Sequence, residues 1–353
     1  TTEYPTPATN LERGRIWQSF STGGSRGIRE SQKYVREGGA AAREMLIAAA
    51  AEAWSVPAGE CKVDKGVITH PASGRQTTYG KVAEAAGRRE VPKNVTLKDP
   101  KDWTIAGKSL KRLDTKPKVT GALVYGADIK LPGMLNAAIK QCPVFGGTLA
   151  SFDESKITSM PGVKKVVRVD DNAVAVVADK WWQAKTALDA LPITWNEGEN
   201  KDVSSASINK WLEEGLTAEE AFVGNRQGDA DAAIKSAAKT IQAVYAYPYQ
   251  NHATMEPMNA TAKWTADRCE VWCPTQNGEA ALAAAAEAAG LPPQQCDVYK
   301  LHLGGGFGRR GAFHDFVRQA VQIAREFPGT PVKLLWTREE DMMHGAYHPV
   351  TQC

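Results

Sequence analysis

Apolar residues recur along this chain in two rhythms. Short apolar runs and alternation predict strands in LNAAIKQCP (135–143), VKKVVRVD (163–170) and NAVAVVADK (172–180). The same signal returns in TIQAVYAYPYQ (240–250), ATAKWTA (260–266), CEVWCPTQ (269–276), DVYKLHL (297–303) and VKLLW (332–336). Between them the period lengthens to that of helices, in KWWQAKTALDAL (180–191), GEAALAAAAEAAG (278–290) and FHDFVRQAVQIAREF (313–327). Earlier, IRESQKYVREGGAAAREMLIAAAAEAW (28–54) predicts one long helix, or a pair broken at Gly38 and Gly39. CKVDKGVITH and SGRQTTYG then predict a short hairpin, followed by a helix at KVAEAAG.

Weakly patterned stretches separate these blocks. Residues 1–27 are rich in Pro, Thr, Gly and Ser and predict loop. Residues 88–117 are charged, rich in Pro and Lys, and without period, as a linker would be. Residues 201–240 are polar and helical, with Asn, Gly and Asp between. Residues 118–200 are expected to form a compact module, with Trp181 and Trp182 opening a helix and AVAVV packed beneath it. The sum is a mixed α+β chain of at least two units, without internal repeats.

Composition narrows the field. The chain has 353 residues, 42% hydrophobic and 24% charged, enough for two or three globular domains. Its net charge of +3 is too mild for a nucleic-acid partner. No apolar run approaches the roughly 20 residues of a membrane helix. TTEYPTPATN has neither the basic start nor the apolar segment of a secretory signal, and no initiator Met opens it. Six cysteines are scattered without a CxxC pair. Cys269 and Cys273 share one strand face roughly 13 Å apart, too far to hold one zinc ion together.

The candidate chemistry lies in LHLGGGFGRR, residues 301–310. A dinucleotide loop would need glycine at 309, which is Arg309, and no Lys-Ser/Thr follows as a P-loop requires. Two readings remain: a glycine-rich strand-to-helix turn, or backbone closely approaching a large ligand with its N–H groups directed at it. Arg309 and Arg310 are then either phosphate contacts or surface charge.

GGGFGRR resembles the GGGFG[GR][KR] segment of the molybdenum-binding subunit of the xanthine oxidase/aldehyde oxidase family. Gln276 lies 31 residues before Phe307, with a helix, a short turn and a strand between, as in that family. The resemblance places Gln276 beside the molybdenum and the Phe307–Gly308 backbone step against a ligand of the metal. HATMEP, with His252, Met255, Glu256 and Pro257, and TREEDMMHGAYHP resemble further segments of the family. KVTGALVYGADIKLPGMLNAAIKQCP with SMPGVKKVV resembles its a/b hammerhead domain. STGGSRGIRESQKYVREGG comes before the hammerhead, an order similar to the isoquinoline 1-oxidoreductase β-subunit and related bacterial aldehyde dehydrogenases.

The resemblance implies an α+β fold with a piece of the second molybdenum-cofactor-binding domain at 1–87. A linker at 88–117, the hammerhead at 118–200 and an incomplete first cofactor-binding domain at 201–353 would follow. The expected cofactor is molybdenum-molybdopterin cytosine dinucleotide, held by Gln276, Gly305, Gly306, Phe307, Gly308, Arg309, Thr22, Gly23, Gly24 and Ser25. The loop Thr22–Ser25 would bind phosphate at a helix N-terminus. The expected reaction is hydroxylation of an N-heteroaromatic or aldehyde C–H with oxygen from water. Electrons would leave through a partner [2Fe–2S] ferredoxin-like subunit, in some relatives onward to a cytochrome c subunit. Gly311 stands where several relatives carry Glu, and the general-base Glu is expected outside this chain, in the remaining portion of the large subunit. The alternative is a non-catalytic scaffold or isolated domain that binds no cofactor. Periplasmic location is implied by resemblance, cytoplasmic being the alternative. Among other tempting residues, Pro349 and the missing HExxH glutamate argue against zinc at His344 and His348. His252 and Glu256 are expected to shape a pocket wall, and His314 and Asp315 to serve packing or surface.

Overall fold

The computed structural model describes residues 5–18, 20–220 and 222–353; residues 1–4, Ser19 and Ala221, which fall within the expected loop and polar helical stretch, lie outside the described residues. The chain divides into two compact units, residues 22–120 and residues 1–21 with 121–353.

The smaller unit is built on one helix, Ser31–Trp54, which runs unbroken through Gly38 and Gly39. The expected hairpin is a three-stranded antiparallel sheet of β1 (Lys62–Asp64), β2 (Val67–His70) and β3 (Arg75–Thr78). The third strand arises because a turn at residues 71–74 lets Arg75–Thr78 fold back onto β2. A helix, Tyr79–Gly87, packs on the long one. The stretch 88–117 carries little regular structure but does not stand free. Arg36 Nη2 donates to Lys98 O at 2.8 Å, Arg43 Nη2 donates to Thr96 O at 3.2 Å, and the Arg36 guanidinium lies 5.2 Å from the Trp103 ring.

The larger unit contains β4 (Leu135–Gln141), β5 (Thr148–Phe152), β6 (Val163–Val169), β7 (Ala173–Ala178) and β8 (Ile193–Asn196). Then come β9 (Ala246–Tyr247), β10 (Asn259–Trp264), β11 (Cys269–Cys273), β12 (Cys296–Lys300), β13 (Val332–Leu335) and β14 (Thr351–Gln352). Seven strands form one sheet in the order β12-β11-β10-β13-β4-β7-β6. β11 and β12 are parallel, β13 and β4 are parallel, and the other neighbours are antiparallel.

This sheet alters the expected picture of residues 118–200 as a module of their own. β4, β7 and β6 stay together as a block, without interleaving, yet β4 pairs with β13 and joins the block to the later strands. β7 is buried along its whole length. Val174, Val176 and Ala178 face Ala184, Ala187 and Leu188 of the helix Trp181–Ala190, whereas Ala173, Ala175 and Val177 enter the larger core. A strand covered on both faces reads as a continuous apolar run, which AVAVVA is.

The larger core lies between the sheet and two helices, Gly278–Ala289 and Asp315–Arg325. Alanines let the first sit close to β12, and Asn277 caps it by accepting from Ala280 N. The second buries Phe316, Val317, Ala320, Val321, Ile323 and Ala324 along one stripe. Residues 5–18, with Phe20 and Ser21, pack over the start of Gly278–Ala289. Asn10 is fully buried; its Nδ2 donates to Gln18 O at 2.8 Å, and its Oδ1 accepts from Trp17 N. Gly278 N donates to Phe20 O, and Ser21 forms a β-bridge with Asn277.

The predicted strand 240–250 contracts to β9, which pairs with the equally short β14, plus an isolated bridge from Gln250 to His348. Among the described residues no helix is long and apolar enough to cross a membrane.

Candidate functional site

The parallel pairing of β11 and β12 decides where the chemistry can lie. Both strands deliver their C-terminal ends to the same edge of the sheet, and Leu301 N still donates to Cys273 O beyond the ladder. The chain after β11 carries Thr275 and Gln276; the chain after β12 carries the glycine run. Gln276 and Phe307 therefore come together despite their separation in sequence. Gln276 Oε1 accepts from Gly308 N at 3.0 Å, and Gln276 N donates to Arg310 O at 3.0 Å.

Each glycine of the run has its own reason. A Cβ on Gly304 would lie 2.4 Å from Glu256 Cβ, and one on Gly306 would lie 2.6 Å from Gln276 Oε1. Gly305 and Gly308 have φ of 108° and 102°, left-handed conformations that side chains disfavour. Phe307 is itself left-handed, at φ 52°, and 70% exposed. So the missing side chains admit, first of all, the protein's own Glu256 and Gln276. The N–H groups of Gly305, Gly306 and Phe307 find no partner among the described residues.

Glu256 is the floor of this loop. Its Oε1 accepts from Ala127 N and its Oε2 from Gly304 N, both at 2.9 Å, while Glu256 N donates to Gly304 O. Arg310 Nη2 lies 3.3 Å from Glu256 Oε2. With its carboxylate so engaged, Glu256 belongs to the wall, as the sequence suggested.

Arg309 and Arg310 correct the sequence expectation. Neither is surface charge: both guanidinium groups are buried. Arg310 Nε donates to Gly305 O at 3.0 Å, Nη1 to Pro274 O at 3.3 Å, and Nη2 to Glu256 O and to Pro257 O. Arg309 Nη2 donates to both carboxylate oxygens of Asp315, Nη1 donates to Phe313 O, and the guanidinium sits 5.6 Å from the Trp336 ring centroid. Its side chain is thus committed inside the protein and not turned toward a phosphate.

His314, expected to serve packing, does so through a hydrogen bond. Burial pushes its pKa down to about 4, so it is neutral, and the Thr275 hydroxyl pairs with its Nε2 at 2.8 Å. Thr275 Oγ1 in turn accepts from Asn277 N, which braces the backbone on either side of Gln276. Thr275 was not singled out in the sequence; its only signal there is adjacency to Gln276. The His252 ring lies tilted against His348 with centroids 4.5 Å apart, and its pKa is lowered by burial first, then by His348 and Arg309. His344 approaches Glu340 at 3.4 Å, but burial lowers the one to about 4 and raises the other to about 7, so they meet as a largely neutral pair.

Beside the loop opens a cleft of about 1010 Å³. Gly304, Gly305 and Phe307 line it together with Tyr125, Met255 and Trp181. The fit to a pterin cofactor rests on this donor set: unpartnered backbone N–H groups at the lip of a large, mainly apolar cleft suit a planar, anionic ligand.

Thr22, Gly23, Gly24 and Ser25 lie in the smaller unit and are exposed. Gly24 and Ser25 are left-handed, and Arg26 N donates to Gly23 O. The loop does not run straight into the long helix as expected: a single turn, Arg26–Arg29, capped by the left-handed Ser25, comes first, and Glu30 stands between it and Ser31–Trp54.

Residues 214–352 match the molybdopterin cofactor-binding domain. The chain is 29% identical over 390 residues to the beta subunit of isoquinoline 1-oxidoreductase from Brevundimonas diminuta, covering 96% of this chain and 48% of the relative. It is 28% identical over 316 residues to a subunit of nicotinate dehydrogenase from Pseudomonas putida, covering 87% and 26%. In structure it resembles quinoline 2-oxidoreductase of Pseudomonas putida 86, with a TM-score of 0.55 and 20% identity over 69% of this chain and 36% of that one. The chain thus spans less than half the length of these relatives. Residues 214–352 thus carry a domain of the molybdopterin-binding class. The chain around it is similar to molybdenum-binding subunits of the xanthine oxidase family.

Proposed function

We propose that this chain is a segment of a molybdenum hydroxylase large subunit of the isoquinoline-oxidoreductase/aldehyde-dehydrogenase type. The observation that carries the reading is the meeting of Gln276 with the Phe307–Gly308 step at the shared end of two parallel strands. The bound molybdopterin centre, in its cytosine dinucleotide form, would supply oxidation of an N-heteroaromatic or aldehyde C–H with oxygen from water.

The chain's own residues bind and orient. The N–H groups of Gly305, Gly306 and Phe307 would hold anionic atoms of the cofactor without adding charge. Gln276, a neutral amide able to donate and accept, would fix a polar atom of the centre or substrate without altering its protonation. Phe307, Met255 and Trp181 would exclude water from the cleft. Thr22, Gly23, Gly24 and Ser25 are assigned to phosphate binding on the resemblance alone, and residues 118–200 to the hammerhead on the same ground. Electrons would pass to a separate [2Fe–2S] subunit, and the assembled enzyme would work in the periplasm.

The first test is metal and pterin analysis of the chain purified from cells that make molybdenum cofactor. Stoichiometric molybdenum and molybdopterin support the reading; their absence, with the chain folded, favours a scaffold. In an assay with N-heteroaromatic and aldehyde substrates and an artificial acceptor, the 353-residue chain alone should be inactive. Loss of acid–base assistance by itself typically removes a factor of about 10²–10⁴. Activity should appear when the rest of the large subunit and a [2Fe–2S] partner are supplied.

A further inference from the structure

The glycine run does not hold its own shape. Its backbone crosses from Gly304 to Gly308 through left-handed positions at Gly305, Phe307 and Gly308, with three N–H groups unpartnered among the described residues. Something must keep those donors turned outward. The structure assigns this task to Arg310, acting with Glu256: Arg310 is a positioning residue for the donor face of the loop. The inference rests on the function proposed above for what that face holds, and it adds a residue which the sequence read as surface charge or phosphate contact.

The geometry is specific to an arginine. From one buried side chain, Nε reaches Gly305 O inside the run, Nη1 reaches Pro274 O at the end of β11, and Nη2 reaches Glu256 O and Pro257 O in the HATMEP turn. The same Nη2 balances Glu256 Oε2, whose other duty is to accept from Gly304 N. Arg310 O meanwhile accepts from Gln276 N and from the Thr275 hydroxyl. One residue therefore ties together the three segments that meet at the site. With the Gly305 carbonyl drawn inward to the guanidinium, the peptide N–H groups that follow are left facing away from it. A lysine has one nitrogen and cannot span these carbonyls, although it would keep the charge beside Glu256.

The experiment compares the wild-type 353-residue chain with Arg310→Lys and Glu256→Gln. Amide hydrogen exchange is read at the hydrogen-bonded N–H groups of Gly304, Gln276 and Gly308, and at strand amides of Val271 and Val298 as an internal reference. In Arg310→Lys the three loop amides should exchange at least about tenfold faster, with the strand amides changed less than about twofold, as expected for a local opening. Glu256→Gln should loosen the Gly304 amide similarly, since an amide offers one acceptor oxygen where the carboxylate offers two. Unchanged loop exchange in Arg310→Lys would overturn the inference. So would equal acceleration of loop and strand amides, which would make Arg310 a general stabiliser only. Retained molybdopterin is measured in parallel and should fall about tenfold in Arg310→Lys, relative to wild type, in proportion to the loop opening. If the wild-type chain takes up no molybdopterin, the proposed function fails, while the exchange comparison still decides whether Arg310 positions the loop.

Discussion

At the scale of single residues, this site is made by close approach. Gly304 leaves room for Glu256 with no slack, so Gly304→Ala should cost about 1–3 kcal/mol through overlap with a side chain that is itself pinned. Urea unfolding of the variant checks this. His314 provides a pH test. Its folded pKa of about 4 lies below the ordinary 6.5, so the unfolded state binds the proton more readily. Stability from this group is complete above pH 6.5 and is lost as pH falls toward 4, by up to about 3 kcal/mol. Glu340, raised to about 7, works in the opposite direction: its contribution is complete below pH 4.5 and lost as pH rises to 7. His344, lowered to about 4 as well, acts in the same sense as His314 and offsets Glu340, so denaturation midpoints between pH 4 and 7 should vary less steeply with pH in His314→Gln than in wild type, at the acid end. The proximity of Gln276 and Phe307 was legible in the motif and its spacing. The burial of Arg309 and Arg310 was not, because an arginine pair after a glycine loop looks the same facing in or out. What decides it is Asp315 nearby and Glu256 more than fifty residues upstream.

At the scale of elements, the alternating and helical periods located the major strands and helices. They did not show β5 and β8, which pair with each other as a short ribbon of mixed polarity. Nor did they show how little of 240–250 would find a partner. Gly38 and Gly39 are informative here. Both sit inside an intact helix, and a Cβ on either would meet nothing within 4 Å. Gly38→Ala and Gly39→Ala should each stabilise the smaller unit by about 1 kcal/mol, seen as a higher thermal midpoint of the chain. A variant that is more stable yet fails to retain molybdopterin would give these glycines a role in close packing that stability does not report.

At the scale of the whole larger unit, the parallel pairing of β13 with β4 is the feature no local pattern announces. Period-two alternation specifies which face of a strand is buried but not which strand lies beside it. Because Ala137, Ile139, Ala173, Ala175 and Val177 belong to the same core as the helices of residues 278–325, residues 118–200 lose the cover of one sheet face when cut out. A fragment of residues 118–200 should therefore aggregate or show weak near-ultraviolet circular dichroism, whereas the full chain should give a cooperative transition. A soluble, cooperatively folded fragment would restore the idea of a self-sufficient module.

The strap of residues 5–18, 20 and 21 over the helix Gly278–Ala289 has a consequence in time. Its buried Asn10 and its bridge to Asn277 need a surface that is translated some 250 residues later. At roughly 5–20 residues per second, a ribosome takes on the order of 10–50 s to make that surface. Throughout that interval the strap has emerged with nowhere to fasten, and it is open to proteases and chaperones. These residues are made well before the surface they need and cannot reach their native place until it has been made. The smaller unit, whose contacts are local, can close meanwhile.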